Sequence, residues 1–200
     1  MCIEYARVIP IRQFLPLVRD MGVAPPLVWT EPTPSPASAQ FHIRIGDDAM
    51  VARLERYHLA GEMLSWGWRD GRQVVFNLKA ETCDFSRATR ALILATGFYE
   101  YAEPIEAKQP RQERFLITMK AERWFWIAGV VRQGRFAMLT TRPGPDIRHY
   151  HNRQPCLLTP MAGFDWLASE KPREELLRPS PRGTLAVRMA QADHSRYQLN

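Results

Sequence analysis

The residue with the most unusual chemistry in this chain is Cys2, directly after the initiator methionine. Removal of Met1 would leave an α-amine and a thiol on one residue. The amine titrates at about pH 8 and the thiol at about pH 8.5, so both have a nucleophilic fraction at neutral pH. Together they can close a five-membered ring on an aldehyde. A cysteine at a frayed terminus can also be without function, so this interpretation needs support from the rest of the chain.

Two further polar residues stand where strand patterns end or meet aromatic residues. Asn77 follows the apolar run Val74-Val75-Phe76, although asparagine there is also a common turn former. Glu100 lies in the segment ATGFYEYAE, and strand alternation predicts that it shares one face with Phe98. A poorly solvated carboxylate there would have a raised pKa suited to proton transfer. The alternative is a solvent-facing glutamate on an edge strand.

A histidine pair follows later in the chain. His149 and His151 flank Tyr150, so an extended segment would place both imidazoles on one face, as in a metal site. No third ligand stands at a suitable spacing, and Cys156 has no zinc-type pattern around it, so we predict neither a metal nor a cofactor. His151 is better interpreted as a single acid/base histidine beside Arg153.

The elements that must position these residues are mostly short strands. From residue 41 onwards the apolar pattern has a period of two, with turn residues between the segments. The predicted strands are 41–45, 50–54, 59–66, 73–78, 91–95, 97–101, 115–119, 124–131 and 136–140. Such a succession with few helices predicts an α+β domain with a mainly antiparallel, barrel-like β core.

Helical spacing is limited to the two ends of the chain. Apolar residues between Ile11 and Met21 recur at helical spacing, but Pro16 indicates that any helix there is short or begins near the proline. A second helix is predicted at 160–169 after the cap Thr159, and a third from near Pro172. We predict one domain over residues 1–200, with the Pro-rich segment 23–40 forming an extended surface connection without helix or central strand.

Composition narrows the possible functions. Of the 200 residues, 46% are hydrophobic and 24% are charged, as in ordinary globular proteins. No apolar run reaches membrane-spanning length, and no signal peptide is recognisable. Three scattered cysteines indicate a reducing, cytoplasmic compartment, in which Cys83 and Cys156 are expected to be buried apolar thiols. The net charge of +6, with far more Arg than Lys, favours a polyanionic partner.

Taken in order, these residues resemble one known family. Met1-Cys2, Asn77 in N-x-K/R-x-E-T, Glu100 in G-F/W-Y/F-E-W/Y and His151 in H-x-R-x-P are similar to the motifs of the SRAP (SOS response-associated peptidase) family. Trp66-Gly67-Trp68 stands where that family has a W-G strand. The resemblance covers most of the chain, and the combination of motifs is specific.

The resemblance implies a single α+β domain with a basic groove for single-stranded DNA. The substrate would be an abasic site, whose ring-opened sugar is an aldehyde. After loss of Met1, the Cys2 amine would condense with this aldehyde, and the thiol would close a thiazolidine. Asn77 would orient the amine, Glu100 would move protons, and His151 would act as acid/base in ring opening or reversal. The expected DNA-binding residues are Lys79, Arg153, Trp68 and Arg87.

Two segments depart from the family pattern. Ile3-Glu4 stands where the family has Gly-Arg, and a glutamate in place of a phosphate-contacting arginine should weaken DNA binding. The segment Phe41-His42-Ile43-Arg44 replaces the family's Y-N-V-A-P. Ile3-Glu4 leaves open a non-covalent single-stranded-DNA binding module, and the name of the family leaves open an N-terminal-nucleophile thiol hydrolase. We expect a monomer that binds no membrane.

Overall fold

The elements that carry the motifs are visible in a computed structural model, which describes residues 2–20, 27–29, 39–56, 58–101 and 113–190. Its first eight strands are β1 (Glu4–Arg7), β2 (Leu27–Trp29), β3 (Gln40–Arg44), β4 (Asp48–Glu55), β5 (His58–Trp66), β6 (Trp68–Asp70), β7 (Gln73–Val75) and β8 (Asn77–Lys79). The other eight are β9 (Thr89–Ala95), β10 (Gly97–Tyr101), β11 (Arg114–Met119), β12 (Phe125–Arg132), β13 (Arg135–Thr141), β14 (Gln154–Pro155), β15 (Leu157–Leu158) and β16 (Leu185–Met189). The helices are α1 (Ile11–Asp20), α2 (Pro160–Ala168) and α3 (Arg173–Leu176).

Most of these strands belong to two sheets. The small sheet has the order β16-β11-β10-β1-β3, and the large sheet has the order β14-β13-β12-β9-β4-β5-β2. In the large sheet β13 also pairs with β5, so the sheet is partly ring-like, while β8 and β15 pair with β13 and β12. The predicted α+β fold with a mainly antiparallel β core is therefore confirmed.

The core has two layers, one on each face of the large sheet. On one face, Leu92 and Leu94 of β9 pack towards the helices; on the other, Ile93 packs towards the small sheet together with Tyr5 and Phe98. Because both faces are covered, the central strands are continuously apolar instead of alternating. Cys2 lies in the second layer, between the two sheets.

Helix α1 differs from the sequence prediction. It extends over ten residues and keeps Pro16 in its interior, although a proline there removes one backbone hydrogen bond. Packing offsets this cost, since Phe14 is fully buried and makes edge-on contacts with Trp124 and Trp126 at ring-centroid distances of 4.9 and 5.3 Å. The helix predicted from the apolar spacing of residues 11–21 is therefore present, ten residues long, and it does not begin near the proline.

The predicted strand 73–78 is divided in the structure. Its first part pairs in the β6–β7 hairpin, and its second part, β8, crosses to the large sheet and lies parallel to β13. Phe76 is the break, and its carbonyl accepts hydrogen bonds from Trp66 Nε1 and from the backbone N–H of Met138. This break turns Asn77 away from the hairpin and into the interior between the sheets.

The helix prediction near the C-terminal end agrees closely with α2. Thr159 caps it, its side chain accepting from the backbone N–H of Ala162. In the Pro-rich segment the structure describes β2, a three-residue strand at the edge of the large sheet, while residues 23–26 and 30–38 lie outside the described part. No helix in the described residues is long and apolar enough to cross a membrane.

Candidate active site

Asn77 and Cys2, 75 residues apart in sequence, meet between the two sheets. The side-chain Nδ2 of Asn77 donates to the backbone carbonyl of Cys2 at 2.6 Å. The amide oxygen Oδ1 of Asn77 is buried, and no hydrogen-bond partner is present among the described residues. The pairing of β8 with β13 fixes this geometry, because it sets Asn77 opposite Met138. Asn77 therefore holds the backbone of Cys2 and keeps one acceptor available.

The Cys2 thiol is buried, with only 1% of the residue exposed. Its Sγ donates to the carbonyl of Glu4 at 3.4 Å. Burial raises the pKa of the Cys2 thiol well above its ordinary value, and the nearby carboxylate of Glu100 raises it further. At neutral pH Cys2 is therefore a thiol and not a thiolate.

Glu100 lies on the inner face of the small sheet. It is 2% exposed, and the alternation of β10 directs it to the same side as Phe98 while Tyr99 and Tyr101 face the other way. Burial raises the pKa of Glu100 to about 7. Its Oε1 has no hydrogen-bond partner in the described part of the chain. A buried carboxyl that is half-protonated near neutral pH can both accept and donate a proton.

His151 completes the group. Its Nε2 is 4.0 Å from Oε2 of Glu100. Its Nδ1 lies 3.0 Å from the backbone nitrogen and 3.1 Å from the backbone carbonyl oxygen of Arg153, so the backbone of Arg153 holds the ring with Nε2 facing the carboxylate. The segment is not extended: the N–H of His151 bonds to the carbonyl of Ile147 in a helical turn. The extended backbone that would place His149 and His151 on one face is therefore not present.

Arg153 occupies a position different from that of an exposed phosphate ligand. Its guanidinium forms a two-pronged ion pair with Glu81, at 3.0 and 2.9 Å, and also donates to the carbonyl of Thr140. The hydrogen bonds from Arg153 lower the pKa of Glu81 to about 2. This pair ties the histidine segment to the end of β13. The geometry favours a role for Arg153 in positioning His151, because its charge is already balanced.

The other expected DNA-binding residues differ in their exposure to solvent. Lys79 is exposed at the end of β8, two residues after Asn77. Trp68 is only 3% exposed and belongs to the core, so its ring offers no face on which a base could stack. It is buried because β6 turns over the large sheet after Gly67, whose positive φ of 94° favours glycine. Arg87 ends a short 3-10 turn, and its side chain lies outside the described part.

An aromatic pair that sequence reasoning did not single out borders the site. Phe115 on β11 pairs across the strands with Glu100, and its ring lies 4.7 Å from that of Tyr150, which precedes His151. The alternation of β11 could have indicated Phe115, but the pairing register could not be read from the sequence.

The remaining thiols and possible ligand clusters add no second site. Cys156 is fully buried and Cys83 is half-buried, and burial raises the pKa of both. Among the described residues, no three His, Cys, Asp or Glu side chains are grouped so as to hold a metal ion. The chemistry available between the sheets is therefore that of Cys2, with two buried acceptors and an acid/base pair beside it.

Similar folds occur in solved structures of bacterial proteins. A phage-related protein from Bordetella bronchiseptica superposes with a TM-score of 0.72 at 19% identity, covering 95% of this chain and 94% of the other. A protein from Bacteroides thetaiotaomicron gives 0.69 at 16% identity, with coverage of 96% and 93%. A second Bordetella bronchiseptica protein gives 0.68 at 17% identity, with coverage of 95% and 100%. These likenesses define the class of fold.

The family follows from the sequence. The profile described as SOS response associated peptidase (SRAP) matches residues 4–193, so the chain belongs to the SRAP family. This confirms the resemblance that the motifs indicated and associates the chain with the SOS response to DNA damage. No curated protein matches the chain.

Proposed function

We propose that this protein captures abasic sites in single-stranded DNA through a covalent bond to Cys2. Removal of Met1 converts the Cys2 nitrogen into an α-amine, which condenses with the sugar aldehyde and releases water. The thiol then adds across the C=N bond: a C–S bond forms, and the thiol proton passes to the nitrogen. The product is a thiazolidine, which shields the lesion in the cytoplasm.

The observation that carries this proposal is the set of buried acceptors around Cys2. Asn77 Oδ1 and Glu100 Oε1 are both buried without a described partner, a costly arrangement unless a donor occupies the site during function. An N-terminal ammonium supplies three N–H donors. A processed Cys2 would satisfy both acceptors and hold its amine next to a carboxyl that titrates at about 7.

The charge states support amine attack before thiol attack. Condensation requires proton removal from the amine and proton delivery to the departing hydroxyl, and Glu100 is suited to both transfers. The Cys2 thiol, with its raised pKa, reacts more readily with an activated imine carbon than with an amide. This also weighs against a thiol hydrolase, which depends on a stabilised thiolate.

The proposal is tested with a uracil-containing single strand treated with uracil glycosylase, followed by a denaturing gel. The wild-type protein is expected to give a shifted band that survives heating. Cys2→Ala should give none without a reductant. Cys2→Ser keeps the amine, so it should give a band only when borohydride reduces the imine. Cys83→Ala is the matched control and should react like wild type.

The results also separate the other functions. A heat-stable band from Cys2→Ala in the absence of a reductant would contradict the proposal. Salt-sensitive binding of wild type without any covalent band would favour a non-covalent module, and cleavage of peptides other than its own N-terminus would favour a thiol hydrolase. Intact mass gives an independent check, because reactive protein must lack Met1.

A further inference from the structure

Glu4, the residue that departs from the family pattern, is the centre of a charged cluster. It is 1% exposed. Its carboxylate lies 2.7 Å from His42 Nδ1, 2.8 Å from Arg114 Nη2 and 3.6 Å from Arg44 Nε, and the Tyr101 hydroxyl also donates to it. Glu4 is therefore an internal anchor for cations and does not present a negative charge to solvent.

The cluster has more positive than negative charge. Around Glu4 two arginines face one carboxylate, an excess of one charge even when His42 is neutral, and the exposed Asp47, which accepts from the backbone N–H of Arg44, reduces this excess. Arg114 is held in place, because its guanidinium carbon lies 3.7 Å from the centre of the Tyr99 ring. Arg44 is different: 67% of its side chain is exposed. The excess charge is thus offered to solvent mainly by Arg44.

This cluster lies next to the proposed reaction site. Glu4 pairs with Arg44 on β3 and with Tyr99 on β10, so all three occupy one end of the small sheet. Cys2 lies only two residues before Glu4, a chain distance of at most about 7 Å. A nucleotide whose sugar reaches Cys2 would therefore bring a neighbouring phosphate close to this end of the sheet.

We propose that Arg44 and His42, held by the buried Glu4, form a subsite for a phosphodiester next to the captured nucleotide. The subsite deepens the proposed function and rests on it. It also relates the two departures from the family pattern, since the cation absent from position 4 stands across the strand pair at position 44. Glu4 therefore supports DNA binding, contrary to the expectation from its charge alone.

The test is fluorescence anisotropy of a labelled single strand without abasic sites, measured over a salt series with the full-length protein. Arg44→Ala is expected to weaken binding roughly threefold to tenfold at low salt and to reduce the slope of log affinity against log salt by about 0.7. Arg44→Lys should keep the slope. Arg123→Ala, an exposed arginine beyond the other end of β11, is the matched control and should change neither quantity.

A second variant reverses the charge at the anchor. Glu4→Arg restores the residue type of the family, and simple charge counting predicts tighter binding. The subsite predicts weaker binding and a lower melting temperature, because the new cation faces Arg44, Arg114 and His42. Tighter binding by a stably folded Glu4→Arg would overturn the proposal.

Arg44→Ala decides the matter even if Glu4→Arg does not fold, since Arg44 is exposed. An unchanged affinity and slope for Arg44→Ala would overturn the subsite. The crosslinking assay, run in parallel, separates this failure from that of the proposed function. Crosslinking by wild type with an unaltered Arg44→Ala slope would refute the subsite alone, whereas a reduced slope without any crosslinking would refute only the covalent capture.

Discussion

The small sheet buries one glutamate on each of its faces, and the two have opposite surroundings. Glu4, on the outer face, is in contact with Tyr101, His42, Arg114 and Arg44. Burial alone would raise the pKa of Glu4, but the hydrogen bonds from Tyr101 and His42 and the charge of Arg114 together lower it. The negative charge of Glu4 is therefore balanced by these neighbouring side chains.

Glu100, on the inner face, is buried to the same degree but is poorly compensated. One carboxylate oxygen has no described partner, and the other is 4.0 Å from His151. Burial therefore raises its pKa to about 7. Burial of a carboxylate therefore does not by itself define its role. A surrounded carboxylate stabilises a fold, whereas a partly unpaired one is available for proton transfer.

Removing the charge of Glu100 is expected to slow crosslinking more than any other change considered below. Glu100→Gln keeps the shape but cannot exchange a proton, so we expect crosslinking to slow roughly 100-fold or more. The free energy of unfolding should stay equal or rise, because an uncompensated buried acid is lost. Progress curves on denaturing gels and urea unfolding measure the two quantities. A variant that reacts at the wild-type rate would remove Glu100 from the mechanism.

The corresponding substitution of Glu4, on the outer face, should lower stability and not the rate of the chemical step. Glu4→Gln leaves Arg114 and its neighbours without a counter-charge, and we expect a loss of about 2–3 kcal/mol in the free energy of unfolding, allowing for the exposure of Arg44. At saturating DNA, crosslinking by the folded protein should stay close to the wild-type rate, because the loss of the anchor affects DNA binding and not the chemical step at Cys2. The comparison would fail if Glu4→Gln slowed crosslinking as strongly as Glu100→Gln while unfolding at the same urea concentration as wild type.

The two glutamates also predict opposite pH dependences of stability. The folded-state pKa of Glu100 is above its unfolded value of about 4.3, so stability should fall as pH rises from there to about 7. The pKa of Glu4 is lowered, so its contribution is present above the unfolded value and is lost as pH falls below it. Urea unfolding from pH 3 to 8 measures both trends.

Glutamine variants at the two positions show which glutamate causes each pH trend in the free energy of unfolding. Glu100→Gln should abolish the decline between about pH 4.3 and 7, and Glu4→Gln should reduce the loss at lower pH. If Glu100→Gln retained the full decline, the raised pKa would belong to another group.

Sequence patterns predicted the strands and the faces of Glu100 and Phe98, because a strand buried on both sides and an alternating strand have distinct apolar periods. They did not predict β1, which begins at Glu4 and has only four residues. Nor did they predict the partners of Glu4, which come from positions 42, 44, 101 and 114 on three other strands. Local periodicity contains no information on strand register across such separations.

The same limit explains the assignments of Arg153 and Trp68. Proximity to His151 suggested phosphate binding by Arg153, and the aromatic ring of Trp68 suggested base stacking. The guanidinium of Arg153 is instead directed to Glu81, and Trp68 packs in the core after the turn at Gly67. The motifs select candidate residues, but only the tertiary structure shows which of them lie beside Cys2 and which are paired elsewhere.

The smallest change in stability is expected at Tyr101, the residue next to Glu100 in the chain. Tyr101 follows Glu100 within one family motif, yet its hydroxyl donates to Glu4 on the opposite face. Tyr101→Phe removes that single hydrogen bond, so we expect a loss of about 1–2 kcal/mol in the free energy of unfolding. The crosslinking rate at saturating DNA should not change, because the hydroxyl contacts Glu4 on the outer face and not Asn77, Glu100 or His151. A rate reduced like that of Glu100→Gln would show that the two faces act as one site.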